Sequence, residues 1–162
     1  MLQYIETKSS KEMKVYLDTN IIFGFFKSML QNIFEGRRLK KSWKLSILFR
    51  NKKLQIYLST FTLVEVKESI REWLNENNEN LSEEKLEGLI SYFEEIFDFK
   101  ILESIRLKNI FEYTGLDAKD SIQLKIARSN KLIFITEDKK LKEIGAEFYQ
   151  RITNLSELVK LL

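Results

Sequence analysis

The sequence predicts an α/β protein, a three-layer α/β/α sandwich around a central parallel sheet of about five strands. Short apolar runs alternate along the chain with longer segments of helical periodicity. Because parallel strands need crossovers, this alternation implies a sheet covered on both faces. The length of 162 residues and the hydrophobic content of 44% suit one domain. We therefore expect residues 1–162 to form a single domain, with residues 1–13 as a polar N-terminal extension.

The first half of the chain predicts two strands, each followed by a helix that begins at residues suited to capping. Asp18-Thr19-Asn20 precedes the first of these helices, and Ser59-Thr60 precedes the second. Ser82 caps a further amphipathic helix, which is expected to form a hairpin with the preceding one. The predicted elements are the strand Lys14–Leu17, a helix from Ile21 to about Phe34, a basic helix Lys40–Phe49, the strand Leu54–Leu58, a helix to about Asn75, and a helix with an apolar stripe at Leu86, Leu89, Ile90, Phe93, Ile96 and Phe97.

The second half continues the alternation. Gly115 is a stop signal for a short helix, and Asp117 opens the next one. Leu132–Ile135 has the composition of a buried strand. The predicted elements are the strand Phe99–Leu102, the helix Ile105–Tyr113, a helix from Asp117 to about Ser129, the strand Leu132–Ile135, the strand Phe148–Ile152 and a final helix Leu155–Leu162.

The composition restricts the chemistry that the chain can perform. It contains no cysteine and no histidine, which excludes disulfides, thiolate zinc sites, thiol nucleophiles and the usual general base near neutral pH. The reactive groups must be carboxylates, hydroxyls, lysines or arginines, and hard oxygen ligands favour Mg²⁺ or Mn²⁺. Since no apolar run approaches membrane-spanning length and Met1–Glu12 lacks the pattern of a secretory signal, we expect a cytoplasmic protein without membrane association.

Carboxylates occur where the predicted sheet would bind a ligand, which is beyond the carboxyl ends of its strands. Asp18 directly follows the first strand, and Asp138 comes just past the strand Leu132–Ile135. Asp120 shares a helical stripe with Leu124 and Ala127, so its carboxylate is expected to face inward. Burying an unpaired carboxylate is costly, and a nearby cation would offset that cost.

Each acidic residue also has a local explanation, which the sequence leaves open. Asp18 could simply cap the first helix, and Asp138 could cap a short helix that starts at the next residue. Asp117 and Asp120 resemble a capping box. Glu65, on the side of its helix that also carries Glu68 and Glu72, looks on its own like a solvated charge.

Four blocks of the chain resemble the PIN-domain family, including the VapC-like toxin ribonucleases. The first block, Lys14–Asn20 (KVYLDTN), is similar to the opening strand and Asp-Thr-Asn of that family. The others follow in the family's order, and they are Thr60–Glu65, Gly115–Ser121 and Leu132–Asp138. The likeness extends from about Lys14 to Ile152.

The resemblance implies a metal-dependent ribonuclease that hydrolyses phosphodiester bonds of single-stranded RNA. Its catalytic residues, which would also hold one or two Mg²⁺ or Mn²⁺ ions, would be Asp18, Glu65, Asp120 and Asp138. Supporting groups beside these ligands would be Thr19, Asn20 and Thr136. A toxin would also have an antitoxin protein as partner, and a homodimer stays an open alternative. The competing interpretation is a non-catalytic PIN-like scaffold that binds RNA or protein. A phosphotransfer domain fits less well because no Asp-x-Asp companion motif follows the first strand.

A basic segment, residues 37–53, contains eight basic residues and no acidic one. We expect it to guide RNA toward the acidic residues, since an all-carboxylate centre repels phosphate. The proposed RNA-binding residues are Arg37, Arg38, Lys40, Lys41 and Lys44. The alternative is a solvated helix face, and Trp43 fits either base stacking or burial in the core.

Overall fold

The computed structural model describes residues 12–37, 50–102 and 113–162. Within them, five parallel strands form one sheet with six helices around it, which confirms the predicted α/β class. The strands are β1 (Met13–Leu17), β2 (Leu54–Ser59), β3 (Phe99–Leu102), β4 (Ile133–Ile135) and β5 (Ile152–Thr153). The helices are α1 (Thr19–Glu35), α2 (Thr60–Glu76), α3 (Glu83–Ile96), α4 (Ala118–Ser129), α5 (Lys139–Phe148) and α6 (Leu155–Leu161).

The strand order β3-β2-β1-β4-β5 places β1 at the centre of the sheet. The chain builds outward from β1 to β2 and β3 on one side, then returns to place β4 and β5 on the other. The strand order therefore reverses at β1. In parallel α/β sheets, the crevice for a ligand lies at the carboxyl ends of the strands beside such a reversal.

The two faces of the sheet carry separate apolar clusters, because alternate side chains of a strand point to opposite faces. Val15 and Leu17 of β1 pack with α1, α2, α3 and α6, whereas Tyr16 packs with α4 and α5 on the other face. All three of these side chains are buried. The molecule is thus a three-layer sandwich, as the alternation of elements predicts.

The predicted hairpin of α2 and α3 is also present. Arg71 of α2 donates from Nε and Nη2 to the two carboxylate oxygens of Glu83 at 3.0 and 2.8 Å, and Lys67 pairs with Glu87. Ile96 was predicted in the apolar stripe of α3, but it is 49% exposed because the helix ends at this residue and the chain turns toward β3.

The predicted strand Phe148–Ile152 is wrong for most of its length. Helix α5 continues to Phe148, and β5 contains only Ile152 and Thr153. The helix is favoured because Leu141, Gly145 and Phe148 share one face against the sheet. A Cβ atom on Gly145 would lie 3.0 Å from Cδ1 of Ile152, so glycine allows this close approach of α5 to β5.

Two predicted helices, Lys40–Phe49 and Ile105–Tyr113, lie outside the described residues except for Tyr113 itself. In the part of the chain that the structure describes, no helix is both long enough and apolar enough to cross a membrane.

Candidate metal centre

Asp18 occupies the N-cap position of α1, directly after β1. Its backbone N–H donates to the carbonyl of Ile135 at 2.9 Å, which ties this residue to the end of β4. Instead of capping α1, the carboxylate accepts a 2.6 Å hydrogen bond at Oδ2 from Thr136 Oγ1. The side chain is only 5% exposed. The simple helix-cap explanation of Asp18 is therefore wrong.

Thr136 links the two aspartates that follow β1 and β4, through the carboxylate of Asp18 and the backbone of Asp138. Besides donating to Asp18, its fully buried hydroxyl accepts from the backbone N–H of Asp138 at 3.1 Å. Asp138 does cap α5, because its Oδ1 accepts from the N–H of Leu141 at 2.9 Å. Capping uses one carboxylate oxygen, so the capping explanation and a ligand role through Oδ2 are compatible.

Asp120 is half-buried in the first turn of α4. The capping residue of this helix is Asp117, whose Oδ1 accepts from the backbone N–H of Asp120 at 2.8 Å. Leu124 and Ala127, on the same stripe as Asp120, are fully buried. The stripe therefore faces inward as predicted, with Asp120 at the end that is nearest to the carboxyl edge of the sheet.

Glu65, in the second turn of α2, is only 7% exposed, whereas Glu68 is exposed. The interpretation of Glu65 as a solvated charge is therefore wrong. Its Oε2 accepts hydrogen bonds from Thr19 Oγ1 and from Gln123 Nε2, both at 2.7 Å. Its Oε1 lies 3.7 Å from Nζ of the exposed Lys119.

A buried polar network stands behind Glu65. The Nε2 of Gln123 also donates to Thr19 Oγ1 at 2.7 Å, and its Oε1 accepts from the hydroxyl of Tyr16. The Tyr16 hydroxyl lies 2.8 Å from both Ser59 Oγ and Thr62 Oγ1. Sequence reasoning missed this network. The available signal was Gln123 itself, a polar residue beside Leu124 on the inward side of α4.

The electrostatics indicate that the acidic groups influence one another. The pKa of Asp18 is raised to about 7, mainly by burial and also by the charges of Asp120 and Glu65. The hydrogen bond from Thr136 acts in the opposite direction and lowers this pKa. Burial also raises the pKa of Asp120 to about 6, with contributions from Asp117, Asp138 and Glu65 that Lys140 partly opposes. Like charges from several elements therefore meet at this edge without full compensation by cations.

The donor set suits a hard divalent ion that keeps part of its water. No group of three or more acidic side chains within residues 12–37, 50–102 and 113–162 is arranged to hold a metal ion by itself. Mg²⁺ is usually bound through one or two carboxylates and several waters, so a closed cage of protein ligands is not required. The carboxylates of Asp18, Asp120 and Asp138 supply hard oxygen donors that fit that chemistry.

The other predicted groups are spread more widely. Thr19 and Thr136 both contact acidic residues of the centre, whereas Asn20 is exposed on the first turn of α1. Arg37 follows α1, whose 17 residues span about 25 Å, and it pairs with Glu35 at 2.5 Å. It therefore lies at the end of α1 remote from Asp18. The remaining proposed RNA-binding residues lie outside the described residues, and they are Arg38, Lys40, Lys41 and Lys44.

The far end of the basic segment is also at the amino edge of the sheet. The carbonyl of Lys53 accepts from the N–H of Met13, the first residue of β1, at 2.7 Å. Both described ends of the segment thus lie across the sheet from the acidic centre.

A parallel α/β sandwich whose strand reversal carries several carboxylates is a class of fold suited to metal-assisted chemistry on phosphate esters. Comparison with family models then identifies the family. The model described as PIN domain matches residues 15–147, which is most of the chain. The chain therefore belongs to the PIN domain family, whose members are generally nucleases.

Two solved structures are similar to the chain at low sequence identity, and the first of them shares its fold. The crystal structure of PAE2754 from Pyrobaculum aerophilum is 13% identical, with a TM-score of 0.53 over 93% of this chain and 96% of that one. VapBC2 from Rickettsia felis, bound to a DNA fragment from their promoter, is 15% identical, with a TM-score of 0.49 over 88% of this chain and 98% of that one. No curated protein matches the sequence significantly.

Proposed function

We propose that the protein is a metal-dependent endoribonuclease that hydrolyses phosphodiester bonds of single-stranded RNA. The observation that carries the proposal is electrostatic, since the charges of Asp120 and Glu65 help to raise the pKa of the buried Asp18 to about 7, and those of Asp138 and Glu65 help to raise the pKa of Asp120. Keeping carboxylates buried beside one another costs stability, and a divalent cation is the natural compensation. Membership of the PIN domain family supports the nuclease class.

In this proposal, Asp18, Asp120 and Asp138 hold Mg²⁺ or Mn²⁺, and Glu65 either binds the ion or orients water. A bound ion of this kind lowers the pKa of a water molecule and stabilises the leaving oxygen. Thr136 donates to Oδ2 of Asp18 and so fixes the orientation of this carboxylate. The absence of histidine supports the metal-assisted route, because metal-free cleavage of RNA ordinarily uses histidine as acid and base.

RNA must also be attracted to a centre that repels phosphate. Lys119 and Lys140 are the cations that we assign to the reacting phosphate, because Lys119 lies 3.7 Å from Glu65 and the charge of Lys140 opposes the rise in the pKa of Asp120. We further propose that the basic segment, residues 37–53, binds the RNA backbone away from the cleaved bond. The positions of Arg37 and Lys53 at the amino edge favour such a distant contact.

We also propose that the protein acts as the toxin of a toxin–antitoxin pair, on the likeness of its four sequence blocks to VapC-like toxins. Expression of the wild-type chain should then arrest growth, and Asp18→Asn should relieve the arrest. Co-expression of a small protein from a neighbouring reading frame should relieve it as well. Arrest by both forms of the chain would contradict this part of the proposal.

The cleavage experiment compares three conditions on single-stranded RNA, namely wild type with Mn²⁺, wild type with chelator, and Asp18→Asn with Mn²⁺. Cleavage is expected in the first condition alone. The matched control is Asp98→Asn, since Asp98 is an exposed aspartate before β3 at the other edge of the sheet, and this variant should cut like wild type. Cleavage in all conditions would indicate contamination or another mechanism.

The competing function is a PIN-like scaffold that binds RNA or protein without cutting. It predicts RNA binding that survives both chelation and Asp18→Asn, with no cleavage in any condition. Measuring binding and cleavage on the same samples distinguishes the two functions.

A further inference from the structure

Gln123 is an almost fully buried polar residue on a helix face that otherwise packs apolar side chains. Its neighbours Leu124 and Ala127 are fully buried apolar residues, so Gln123 differs from them in polarity. The amide instead makes contacts on both of its ends, with Glu65 and Thr19 on one and with Tyr16 and Thr62 on the other. Hydrogen bonding, rather than apolar packing, therefore accounts for a glutamine at this position.

The orientation of the Gln123 amide follows from the donors and acceptors around it. A carboxylate only accepts hydrogen bonds, so the NH₂ group must face Glu65. Its two protons then go to Glu65 Oε2 and Thr19 Oγ1, each at 2.7 Å. The carbonyl oxygen correspondingly meets the hydroxyl of Tyr16, whose pKa burial raises, so that Tyr16 keeps the proton that it donates.

The hydroxyl groups behind Gln123 can satisfy one another without it. Ser59 Oγ and Thr62 Oγ1 are 3.0 Å apart, and both lie 2.8 Å from the hydroxyl of Tyr16. Ser59 also caps α2 by accepting from the N–H of Thr62 at 3.0 Å. The contribution specific to Gln123 is therefore on its other side, toward Glu65 and Thr19.

We propose that Gln123 is a positioning residue that fixes the carboxylate of Glu65 for metal binding. Together with Thr19, it saturates Oε2 and leaves Oε1 directed away from the network, near Lys119. Groups that orient a ligand in this way commonly change metal affinity when they are removed. This inference rests on the metal-binding function proposed above and adds a residue outside the four carboxylates.

The test is a double-mutant cycle on Mn²⁺ affinity, measured by isothermal titration calorimetry on Gln123→Leu, Glu65→Gln and the double variant. Gln123→Leu should weaken Mn²⁺ binding by about 10- to 100-fold. In the Glu65→Gln background, the same change should have little further effect, because the group that it positions is already altered. A merely structural role predicts an equal effect in both backgrounds, and this result would overturn the inference.

Ile90→Ala provides the control for a general loss of stability. Ile90 is buried in α3 and belongs to the apolar cluster on the other face of the sheet. This variant should unfold at a lower temperature than wild type in chelator, yet bind Mn²⁺ with wild-type affinity. If it loses affinity as Gln123→Leu does, stability explains the result and the inference fails.

If Gln123→Leu does not fold, Gln123→Asn decides the question, because it keeps a polar amide whose side chain is one methylene too short to hold both Glu65 and Thr19 as Gln123 does. The inference is supported if this change weakens Mn²⁺ binding in the wild-type background but not in the Glu65→Gln background. Unchanged Mn²⁺ binding in both backgrounds overturns it. The proposed function fails separately. If wild type does not bind Mn²⁺, both proposals fail. If Glu65→Gln binds Mn²⁺ as well as wild type does, or if Glu65→Gln weakens binding and Gln123→Leu does not, only the role of Gln123 is removed.

Discussion

Replacing the carboxylate of Asp18 should stabilise the metal-free protein at neutral pH. Burial raises the pKa of Asp18 from 3.8 to about 7. Because the folded pKa is above the unfolded one, the folded state binds the proton more tightly and ionisation opposes folding. The penalty is absent below about pH 4, grows as the pH rises, and is complete above about pH 7. At about 1.36 kcal/mol for each pKa unit, the free energy of unfolding should fall by about 4 kcal/mol across this range.

Asp18→Asn keeps an oxygen that can accept from Thr136, but it cannot ionise. Urea unfolding in EDTA between about pH 4 and about pH 8 should show equal stability at the acidic end and a more stable variant at the alkaline end. Asp98→Asn, which removes an exposed carboxylate outside the centre, should retain the wild-type pH dependence. Parallel profiles for wild type and Asp18→Asn would refute the reasoning. Adding Mn²⁺ at neutral pH should raise the free energy of unfolding of wild type more than that of Asp18→Asn.

Three further outcomes are expected. Asp120→Asn and Asp138→Asn should leave the metal-free protein at least as stable as wild type, and each should reduce the rise in melting temperature that Mn²⁺ produces. If Mn²⁺ raises the melting temperature of wild type and both variants equally, this metal centre is excluded. Gly145→Ala should lower the free energy of unfolding by about 1–3 kcal/mol, measured in urea, because its Cβ would meet Ile152 at 3.0 Å. The third change replaces Lys40, Lys41 and Lys44 of the basic segment with glutamine in Asp18→Asn protein, and it should weaken RNA binding. In a salt series, the plot of log binding constant against log salt concentration should become flatter by about 0.7 per lost phosphate contact.

Local patterns in the sequence were sufficient for most of the fold. Alternating apolar runs and capping residues predicted β1 to β4 and the helices beside them, because hydrophobic periodicity and caps act within a few residues. They also indicated three carboxylates, since Asp18 and Asp138 directly follow strands and Asp120 shares a stripe with buried residues. Local patterns failed at Phe148, because aromatic residues at the end of a helix resemble the beginning of a short strand.

The sequence by itself thus determined the α/β class and the edge of the sheet where acidic groups collect. The family resemblance also named Glu65, but only the tertiary structure showed that its side chain is buried and which side chains contact it. Glu65 is buried by contacts with Thr19 and Gln123, which lie 46 and 58 residues away along the chain, and Gln123 reaches Thr19 across 104 residues. Periodicity describes one helix at a time, whereas the burial of a polar side chain depends on the partners that folding brings to it.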